Sequence, residues 1–322
     1  MELVFLDRNS VGDDIDVALY NEFGNMTIYP FTDEKDVSSR IAGKDIIITN
    51  KSKLNSVTLH NSTVRLICLS ATGTDNVDVS YCSENDIAVC NVKGYSTESV
   101  VQHTFTMLFS LKENIFRFHE YTKAGRYIND TTFKHLTWQF HEISGKNFGI
   151  IGMGMIGKRI AEAASAFGCN VFYWSSKNQD RNPAYKRLGF DELLEKCDII
   201  SIHSPLTAET YRLFGKDQFN RMKNDSLLIN VGRGDIVNEE DLAYAIENNI
   251  IGGAAVDVIS KEPMTPDNPL ARILENPRFL MTPHIAWAAV EARERCIREI
   301  YYNIESFLQG GKRNRVDTAP SE

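Results

Sequence analysis

The sequence lacks the features that stabilise extracellular domains or carry a chain through a membrane. Its six cysteines are scattered over 322 residues without a CxxC pair, so we expect neither disulfides nor a structural metal. No apolar run approaches the roughly 18 residues of a membrane span, and the first residues lack the basic start and cleavage site of a secretion signal. We therefore expect a cytoplasmic protein that does not enter a membrane.

Positive charge is also scarce. With 35 Lys and Arg against 43 Asp and Glu, the formal net charge is −8, which argues against a nucleic-acid partner because phosphate backbones are bound by clustered basic side chains. One basic cluster, Lys312, Arg313 and Arg315, is predicted to be a solvated tail. The hydrophobic share of 43% is typical of globular proteins, and the length suits two domains.

Short apolar runs alternate with helical stretches, a rhythm that predicts α/β structure with parallel sheets. A long helix is predicted over 98–118, where a domain boundary is placed. Four strands are predicted before it and six after it, and the later six predict a doubly wound parallel sheet. The predicted strands are Glu2–Leu6, Asp45–Thr49, Arg65–Leu69, Ile87–Asn91, Phe148–Ile151, Asn170–Trp174, Asp198–His203, Ser226–Val231, Ala254–Val258 and Phe279–Thr282.

We predict two Rossmann-like domains. The doubly wound domain is predicted over 98–287, and it is the predicted dinucleotide-binding domain because it contains the glycine motif Gly152–Gly157. A last helix over 290–308 has an apolar face that could pack back on the first part of the chain. Residues 1–97 plus 288–322 are accordingly predicted to form a smaller, flavodoxin-like substrate domain built from both chain ends.

Gly152, Gly154 and Gly157 form a GxGxxG motif that directly follows a predicted strand and opens a predicted helix. The first glycine permits a tight turn, and the second lets backbone amides approach a pyrophosphate. The third lets the helix pack close to the strand, so that the helix N-terminus faces the anion. This context predicts dinucleotide binding.

The next strand ends in Ser175, Ser176 and Lys177, at the place where an acidic residue selects a free ribose 2′-hydroxyl. Without a carboxylate to repel a 2′-phosphate, and with a lysine close by, NADP is one interpretation. In the other, Ser175 binds the ribose and Lys177 is a surface charge. Both NAD and NADP therefore stay open.

Candidate site residues with charged or titratable side chains follow the later strands, at the edge where open α/β sheets bind ligands. Arg233, between Gly232 and Gly234, has a guanidinium fork that suits a carboxylate, and the two glycines are interpreted as giving its backbone access to a ligand. It would hold a 2-oxo acid and polarise the oxo group.

His284 is the best placed of seven histidines to exchange a proton with a substrate oxygen near neutral pH. The other six, including His103 and His203, are interpreted as packing or surface residues. Glu262 is the candidate carboxylate that pairs with His284 and favours the imidazolium. Asp257 is its competitor, because it could pair with His284 or contact the nicotinamide or its ribose.

Several motifs, taken in order, resemble the D-isomer-specific 2-hydroxyacid dehydrogenase family. They are Ala71–Asp78, Gly152–Gly157, His203–Leu206, Asn230–Gly234, Asp257–Pro263 and Thr282–His284. The resemblance implies that Arg233 anchors the substrate, that Glu262 pairs with His284, and that His284 is the acid/base. It also implies a homodimer formed through the helix that follows the first crossover.

The resemblance further implies binding residues. Cofactor contacts are implied for Thr72, Met155, Ile156, Ser204, Pro205, Val231, Gly232, Asp257 and Ala286. Substrate contacts are implied for Lys51, Ala71, Thr72, Gly73 and Trp287, beside Arg233 and His284.

Within the family, Thr49–Lys51, Asn91–Thr97 and Pro283–Trp287 look most like glycerate dehydrogenases, also called hydroxypyruvate reductases. The implied activity is NAD(P)-dependent interconversion of a small 2-oxo acid, of the hydroxypyruvate or glyoxylate type, and its D-2-hydroxy acid. Two alternatives stay open. One is a phosphoglycerate dehydrogenase, which would want further cations and commonly a regulatory domain; the other is a non-catalytic nucleotide-sensing scaffold like the corepressors of this fold.

Overall fold

The computed structural model describes residues 1–177, 182 and 184–318. Its backbone contacts divide the chain into two compact units, one of Met1–Ser96 together with the chain from Ala288 onward, and one of Thr97–Trp287. The predicted boundaries were 97 and 287. Each unit contains one parallel sheet with helices, which confirms the predicted fold class.

The strands are β1 Glu2–Phe5, β2 Asn25–Ile28, β3 Ile46–Thr49, β4 Leu66–Leu69, β5 Ala88–Cys90, β6 Asn147–Ile151, β7 Asn170–Trp174, β8 Lys186–Arg187, β9 Ile199–Ile202, β10 Leu227–Asn230, β11 Gly253–Val256 and β12 Phe279–Met281. The α-helices are α1 Val37–Ile41, α2 Val79–Glu84, α3 Thr97–Lys112, α4 Ile115–Lys123, α5 Met155–Ala166, α6 Phe190–Lys196, α7 Lys216–Arg221, α8 Glu239–Glu247 and α9 Val290–Leu308. Short 3₁₀ helices lie at Arg8–Val11, Ala18–Phe23, Glu34–Asp36, Arg126–Asn129, Gly234–Ile236 and Pro269–Ile273.

In the first unit the strand order is β2-β1-β3-β4-β5, all parallel. Strands β3 and β4 are buried on both faces, as their unbroken apolar sequences predict. Strand β2 was not predicted, because it is a partly exposed edge strand whose sequence mixes Asn and Thr with apolar residues. Helix α9 packs on β4 and buries Ile297, Ile300 and Ile304, as expected from its apolar face.

The predicted solvated tail is only partly correct. Lys312 and Arg313 are exposed, but the backbone beyond them pairs with β5, where the N–H of Val316 donates to the carbonyl of Val89 at 2.9 Å. Arg315 bonds Asp317, whose carboxylate also accepts the N–H of Val89 at 2.8 Å. The partners of Arg315 therefore include an acidic residue and a distant strand, and a charge run alone does not reveal either.

In the second unit the strand order is β12-β11-β10-β9-β6-β7-β8, all parallel. From β6 the chain runs outward through β7 and β8 on one side, and from β9 to β12 on the other. The order reverses between β6 and β9, which is where open parallel sheets bind ligands. This confirms the doubly wound prediction; β8 was not predicted because two residues are too few to show a pattern.

The predicted single helix over 98–118 is wrong. Helix α3 ends at Lys112, Asn114 has a left-handed backbone with φ +55°, and α4 begins at Ile115. Asparagine tolerates that conformation better than most residues, so an apolar spacing continued across it does not keep the helix intact. Among the described residues, no helix is long and apolar enough to cross a membrane.

Candidate active site

The GxGxxG loop lies at the reversal of the strand order, between β6 and α5. Gly152 has φ +97°, and a Cβ there would come within 2.8 Å of the backbone nitrogen of Ser204. A Cβ at Gly157 would lie 2.0 Å from the carbonyl oxygen of Gly152, whereas one at Gly154 would meet nothing within 4 Å. The loop is therefore closed on its protein side and open above Gly154.

This loop fits a dinucleotide pyrophosphate. Gly154 precedes α5 without a side-chain cap, so the first-turn amides from Met155 onward can donate to an anion, which the helix dipole also favours. At the end of β9, Ser204 places a buried hydroxyl oxygen with no hydrogen-bond partner among the described residues. A polar ligand bound beside the glycine loop would supply the hydrogen-bond partner that this buried hydroxyl lacks.

The residues after β7 lie where the sequence left the choice between NAD and NADP open. Ser175 is buried, and its hydroxyl donates to the carbonyl of Lys177 at 2.7 Å, which leaves the exposed Ser176 and Lys177 facing solvent. Arg187, on β8, donates from its guanidinium to the carbonyl of Ser175 at 3.3 Å. From Ser175 to Lys177 the chain carries one cation, two hydroxyls and no carboxylate.

Arg233 follows β10, but its two glycines have a different role from the one expected. A Cβ at Gly234 would come within 1.9 Å of the backbone of Ile259, and one at Gly232 within 3.2 Å of the carbonyl oxygen of Ser204. Glycine is needed at position 234 because the loop packs directly against the loop after β11, and a side chain at Gly232 would crowd the loop after β9. The glycines do not by themselves indicate that the backbone approaches a ligand, so the assignment of Arg233 rests on its side chain and its place at the strand end.

His284 and Glu262 form the closest acid/base contact of the site. The Nδ1 of His284 lies 2.7 Å from Oε2 of Glu262, and each side chain is 31% exposed. Because a carboxylate only accepts hydrogen bonds, Nδ1 carries the proton of this contact, and Nε2 is the second ring nitrogen. The second oxygen, Oε1, accepts the N–H of Ile259 at 3.4 Å, so the glutamate is tied to the same loop that contacts Gly234.

Asp257, the alternative partner of His284, uses its carboxylate elsewhere. Oδ1 accepts the hydroxyl of Thr282 at 2.5 Å and the N–H of Ile285 at 2.9 Å, and Oδ2 accepts the N–H of Ala286 at 2.8 Å. Burial by itself raises the pKa of Asp257, but hydrogen bonds from His103, Thr282 and the two amides outweigh it, and the pKa is lowered. Asp257 therefore contacts the peptides around His284, while Glu262 holds its imidazole.

The backbone of His284 is itself unusual, with φ +55°. Its N–H donates to the carbonyl of Asp257 at 2.8 Å, and its carbonyl accepts the indole N–H of Trp287 at 3.0 Å. A non-glycine residue keeps such a conformation only where its surroundings over-determine it, and such residues cluster at functional sites. The loop from Thr282 to Trp287 is thus fixed at several points.

His203 and His103 were both interpreted as packing or surface residues, but their hydrogen-bond partners in the structure differ. Nε2 of His203 lies 2.7 Å from the hydroxyl of Ser201, Nδ1 is buried without a partner among the described residues, and burial lowers the pKa from 6.5 to about 3. A histidine that stays neutral near pH 7 is a poor proton donor there, so the structure gives no reason to move the proposed role from His284 to His203. His103, in contrast, bonds the hydroxyl of Thr282 at 3.0 Å.

Sequence reasoning set His103 aside and did not consider Ser99 and Arg187. Ser99 and His103 are four residues apart on α3, so they share one helix face, and this spacing of a serine and a histidine was the signal that the sequence offered. Arg187 had none, because its strand has two residues.

The expected substrate residues of the first unit follow β3 and β4. Lys51 is exposed, and its N–H donates to the carboxylate of the buried Asp7 at 2.8 Å. Beside Ala71, Thr72 is exposed and its hydroxyl donates to the carbonyl of Val92 at 2.8 Å. Both segments are held in place by neighbouring strand ends.

Comparison with known proteins decides the family. Residues 105–286 match the family model described as D-isomer specific 2-hydroxyacid dehydrogenase, NAD binding domain. The chain belongs to the D-isomer specific 2-hydroxyacid dehydrogenase family. It is 32% identical over 318 residues to the glycerate dehydrogenase of Methylorubrum extorquens, a match that covers 98% of this chain and 99% of that protein. The predicted family resemblance is confirmed.

Solved structures of the same architecture agree. The D-lactate dehydrogenase of Aquifex aeolicus complexed with NAD and lactic acid has a TM-score of 0.85 and 27% identity, and the match covers 100% of both chains. An acyclic imino acid reductase (Bsp5) in complex with NADPH and D-Arg has a TM-score of 0.88 and 28% identity, over 98% of this chain and 100% of that one. Within this architecture, both forms of the nicotinamide dinucleotide are therefore bound. The chain is an oxidoreductase of the family that uses this cofactor.

Proposed function

We propose that the protein reduces a small 2-oxo acid of the hydroxypyruvate or glyoxylate type to its D-2-hydroxy acid. The observation that carries the proposal is the 2.7 Å contact between Nδ1 of His284 and Glu262, because it fixes one ring proton and leaves Nε2 to exchange the other. The similarity to glycerate dehydrogenase supports this substrate type, since glycerate is the reduced form of hydroxypyruvate.

The nicotinamide dinucleotide, when bound, supplies the hydride for this reaction. Nε2 of His284 donates a proton to the substrate oxygen, and Glu262 balances the positive charge that the imidazole carries before it gives up the proton. The guanidinium of Arg233 pairs with the substrate carboxylate, for which its planar fork is suited. The loop Ala71–Gly73 and Lys51 remain proposed substrate contacts, and Trp287 is proposed to shape the pocket next to His284.

For the cofactor, we propose a preference for NADPH over NADH. Lys177 and the guanidinium of Arg187 lie at the end of β7, where a 2′-phosphate is either accepted or repelled. Burial of the Ser175 hydroxyl against the carbonyl of Lys177 leaves the exposed Ser176 and Lys177 as the polar groups available to that phosphate. Glycines 152, 154 and 157, with Met155, Ile156 and Ser204, are proposed to hold the pyrophosphate side.

The test is a set of initial rates with hydroxypyruvate, glyoxylate, pyruvate and phosphohydroxypyruvate, each with NADH and NADPH. We expect turnover of the first two, a kcat lowered at least about 100-fold by His284→Gln, and a KM raised at least about 10-fold by Arg233→Gln. His60→Gln, at an exposed position, is the matched control and should behave like the unmodified protein. Cofactor binding without turnover of any 2-oxo acid would instead favour a nucleotide-sensing scaffold, and preference for the phosphorylated substrate would favour a phosphoglycerate dehydrogenase.

We also propose a homodimer formed through α4 and the segment that follows it. Large apolar side chains are exposed there: Ile128 is 85%, Phe133 83% and Leu136 69% exposed. Large apolar side chains exposed within one short segment indicate an interaction site, and a second copy of the chain is the partner that the family resemblance implies. Light scattering on the purified protein should give twice the mass of one chain.

A cytoplasmic location is proposed from the cysteines. All six are buried free thiols, and burial raises the pKa of Cys82, Cys90 and Cys197 to about 12. Such thiols stay protonated and unreactive, as expected for packing residues in a reducing compartment. Equal thermal stability with and without a reducing agent would agree with this proposal.

A further inference from the structure

Helix α3 contacts the loop from Thr282 to Trp287, here called the catalytic loop because it contains His284. The hydroxyl of Ser99 donates to the carbonyl of Ala286 at 2.6 Å, and Nε2 of His103 lies 3.0 Å from the hydroxyl of Thr282. The two side chains are one helical turn apart on α3, so they face the same way. They contact the loop on either side of His284.

The direction of the hydrogen bonds can be assigned. A threonine hydroxyl has one proton, and that of Thr282 is directed at Oδ1 of Asp257, 2.5 Å away. His103 must therefore donate from Nε2 to the Thr282 oxygen, which fixes a proton on that nitrogen. The same nitrogen lies 3.5 Å from Oδ1 of Asp257, so the N–H faces a hydroxyl oxygen and a carboxylate together.

From Asp257 the hydrogen bonds continue into the backbone of the catalytic loop. The carboxylate of Asp257 accepts the successive N–H groups of Ile285 and Ala286, directly after the left-handed residue His284. Successive amides at such a turn form a concave anion site, and here the anion is an internal side chain that is 1% exposed. The conformation that presents the His284 imidazole to Glu262 thus depends on this carboxylate keeping its place.

We propose that His103 is a positioning residue for proton transfer, acting through Thr282 and Asp257 on the backbone of His284, with Ser99 as a second attachment of the same loop. The proposal rests on the proposed function for its kinetic consequence, but its structural part stands by itself. Displacing a catalytic group by about 1 Å can cost about 100-fold in rate, so a loosened loop lowers kcat, while groups that bind the ligand elsewhere keep KM.

The experiment compares His103→Leu, which removes the donor, with His103→Gln, whose amide nitrogen can donate to the Thr282 oxygen. For His103→Leu we expect kcat to fall about 10-fold, with KM for the 2-oxo acid and the dissociation constant of the dinucleotide within about twofold. His103→Gln should recover most of kcat. Amide hydrogen exchange at Ile285 and Ala286 should be at least about 10-fold faster in the leucine variant and close to normal in the glutamine variant.

Thr282→Val and the double variant His103→Leu/Thr282→Val test the relay, the series of hydrogen bonds that leads from His103 through Thr282 to Asp257. If His103 acts through Thr282, the double variant should lose no more kcat than the larger single effect. Fully additive losses would overturn the relay. A lower melting temperature with unchanged kcat and unchanged exchange at the two amides would reduce His103 to a packing residue and overturn the proposal.

The exchange measurement separates this proposal from the proposed function. Should the unmodified protein turn over no 2-oxo acid, the proposed function fails, while faster exchange at Ile285 and Ala286 in His103→Leu would still support the positioning role. Should His103→Leu not fold, Thr282→Val provides the same two readouts. Normal exchange at both amides in that variant would overturn the proposal.

Discussion

Acidification should destabilise the second unit through one residue, His203. Burial lowers the pKa of His203 from 6.5 to about 3, and its Nδ1 has no hydrogen-bond partner among the described residues. Between those two pH values the unfolded chain takes up a proton that the folded unit does not. The unfolded state then binds more protons, so the free energy of unfolding falls as the pH falls from 6.5 towards 3.

The size of the effect follows from that pKa difference. Well inside this range one such group costs about 1.4 kcal/mol for each pH unit, and for a change from pH 7 to pH 5 the loss is about 2 kcal/mol. Carboxylates with a lowered pKa, such as Asp257 and Asp198, lose their stabilising ionisation only as the pH falls towards about 4 and below. Between pH 7 and pH 5 the loss in the free energy of unfolding is therefore expected from His203 and not from these carboxylates.

Urea denaturation followed by tryptophan fluorescence is the suitable assay, because the three tryptophans, Trp138, Trp174 and Trp287, all belong to the unit of Thr97–Trp287. The reference variant is His203→Gln, whose amide can bond Ser201 but does not titrate. We expect the unmodified protein to lose about 2 kcal/mol more than this variant between pH 7 and pH 5. Equal losses in the two proteins would show that His203 is solvated or protonated in the folded state, and the reasoning would be refuted.

Three further outcomes are expected. Lys177→Gln should lower kcat/KM for NADPH about 10-fold and leave NADH within about twofold, because the 2′-phosphate loses a cation; equal effects on both cofactors would contradict the proposed preference. Gly157→Ala places a Cβ 2.0 Å from the carbonyl oxygen of Gly152 and should weaken dinucleotide binding at least about 10-fold in a fluorescence titration, whereas Gly189→Ala, with nothing within 4 Å, should not. Phe133→Ser should convert the dimer to a monomer by light scattering, since this side chain is 83% exposed; an unchanged mass would place the interface elsewhere.

The sequence predicts those features of the fold that depend on local patterns. The glycine spacing of 152, 154 and 157 fixes a tight turn before a helix, and buried parallel strands are recognisable because both faces are apolar. It was insufficient where a short element carries no pattern, as with β8 and its Arg187, and where one left-handed residue, Asn114, ends a helix whose apolar spacing continues.

Spacing in the sequence could not choose between Glu262 and Asp257 as the partner of His284, although the family resemblance implied Glu262, because the choice depends on backbone direction at two strand ends. Asp257 and Glu262 both follow β11, and His284 follows β12, the neighbouring strand of the sheet. The left-handed φ of His284 turns the following amides, not its imidazole, towards Asp257. Spacing cannot show this, and neither can it show that Gly234 serves backbone contact with Ile259.

A buried aspartate performs the same structural task in each unit. After β1, Asp7 is 5% exposed and its carboxylate accepts the N–H groups of Asn50, Lys51 and Ser52, as Asp257 accepts those of Ile285 and Ala286. In a parallel sheet the segments that leave the carboxyl ends of the strands have unpaired amides, and those segments are where ligands bind. An internal carboxylate satisfies several of these amides at once and holds the segment rigid without occupying the ligand side. In this protein Asp7 and Asp257 should therefore be considered first as anchors of the loops that follow the strands, and only then as groups that touch the substrate.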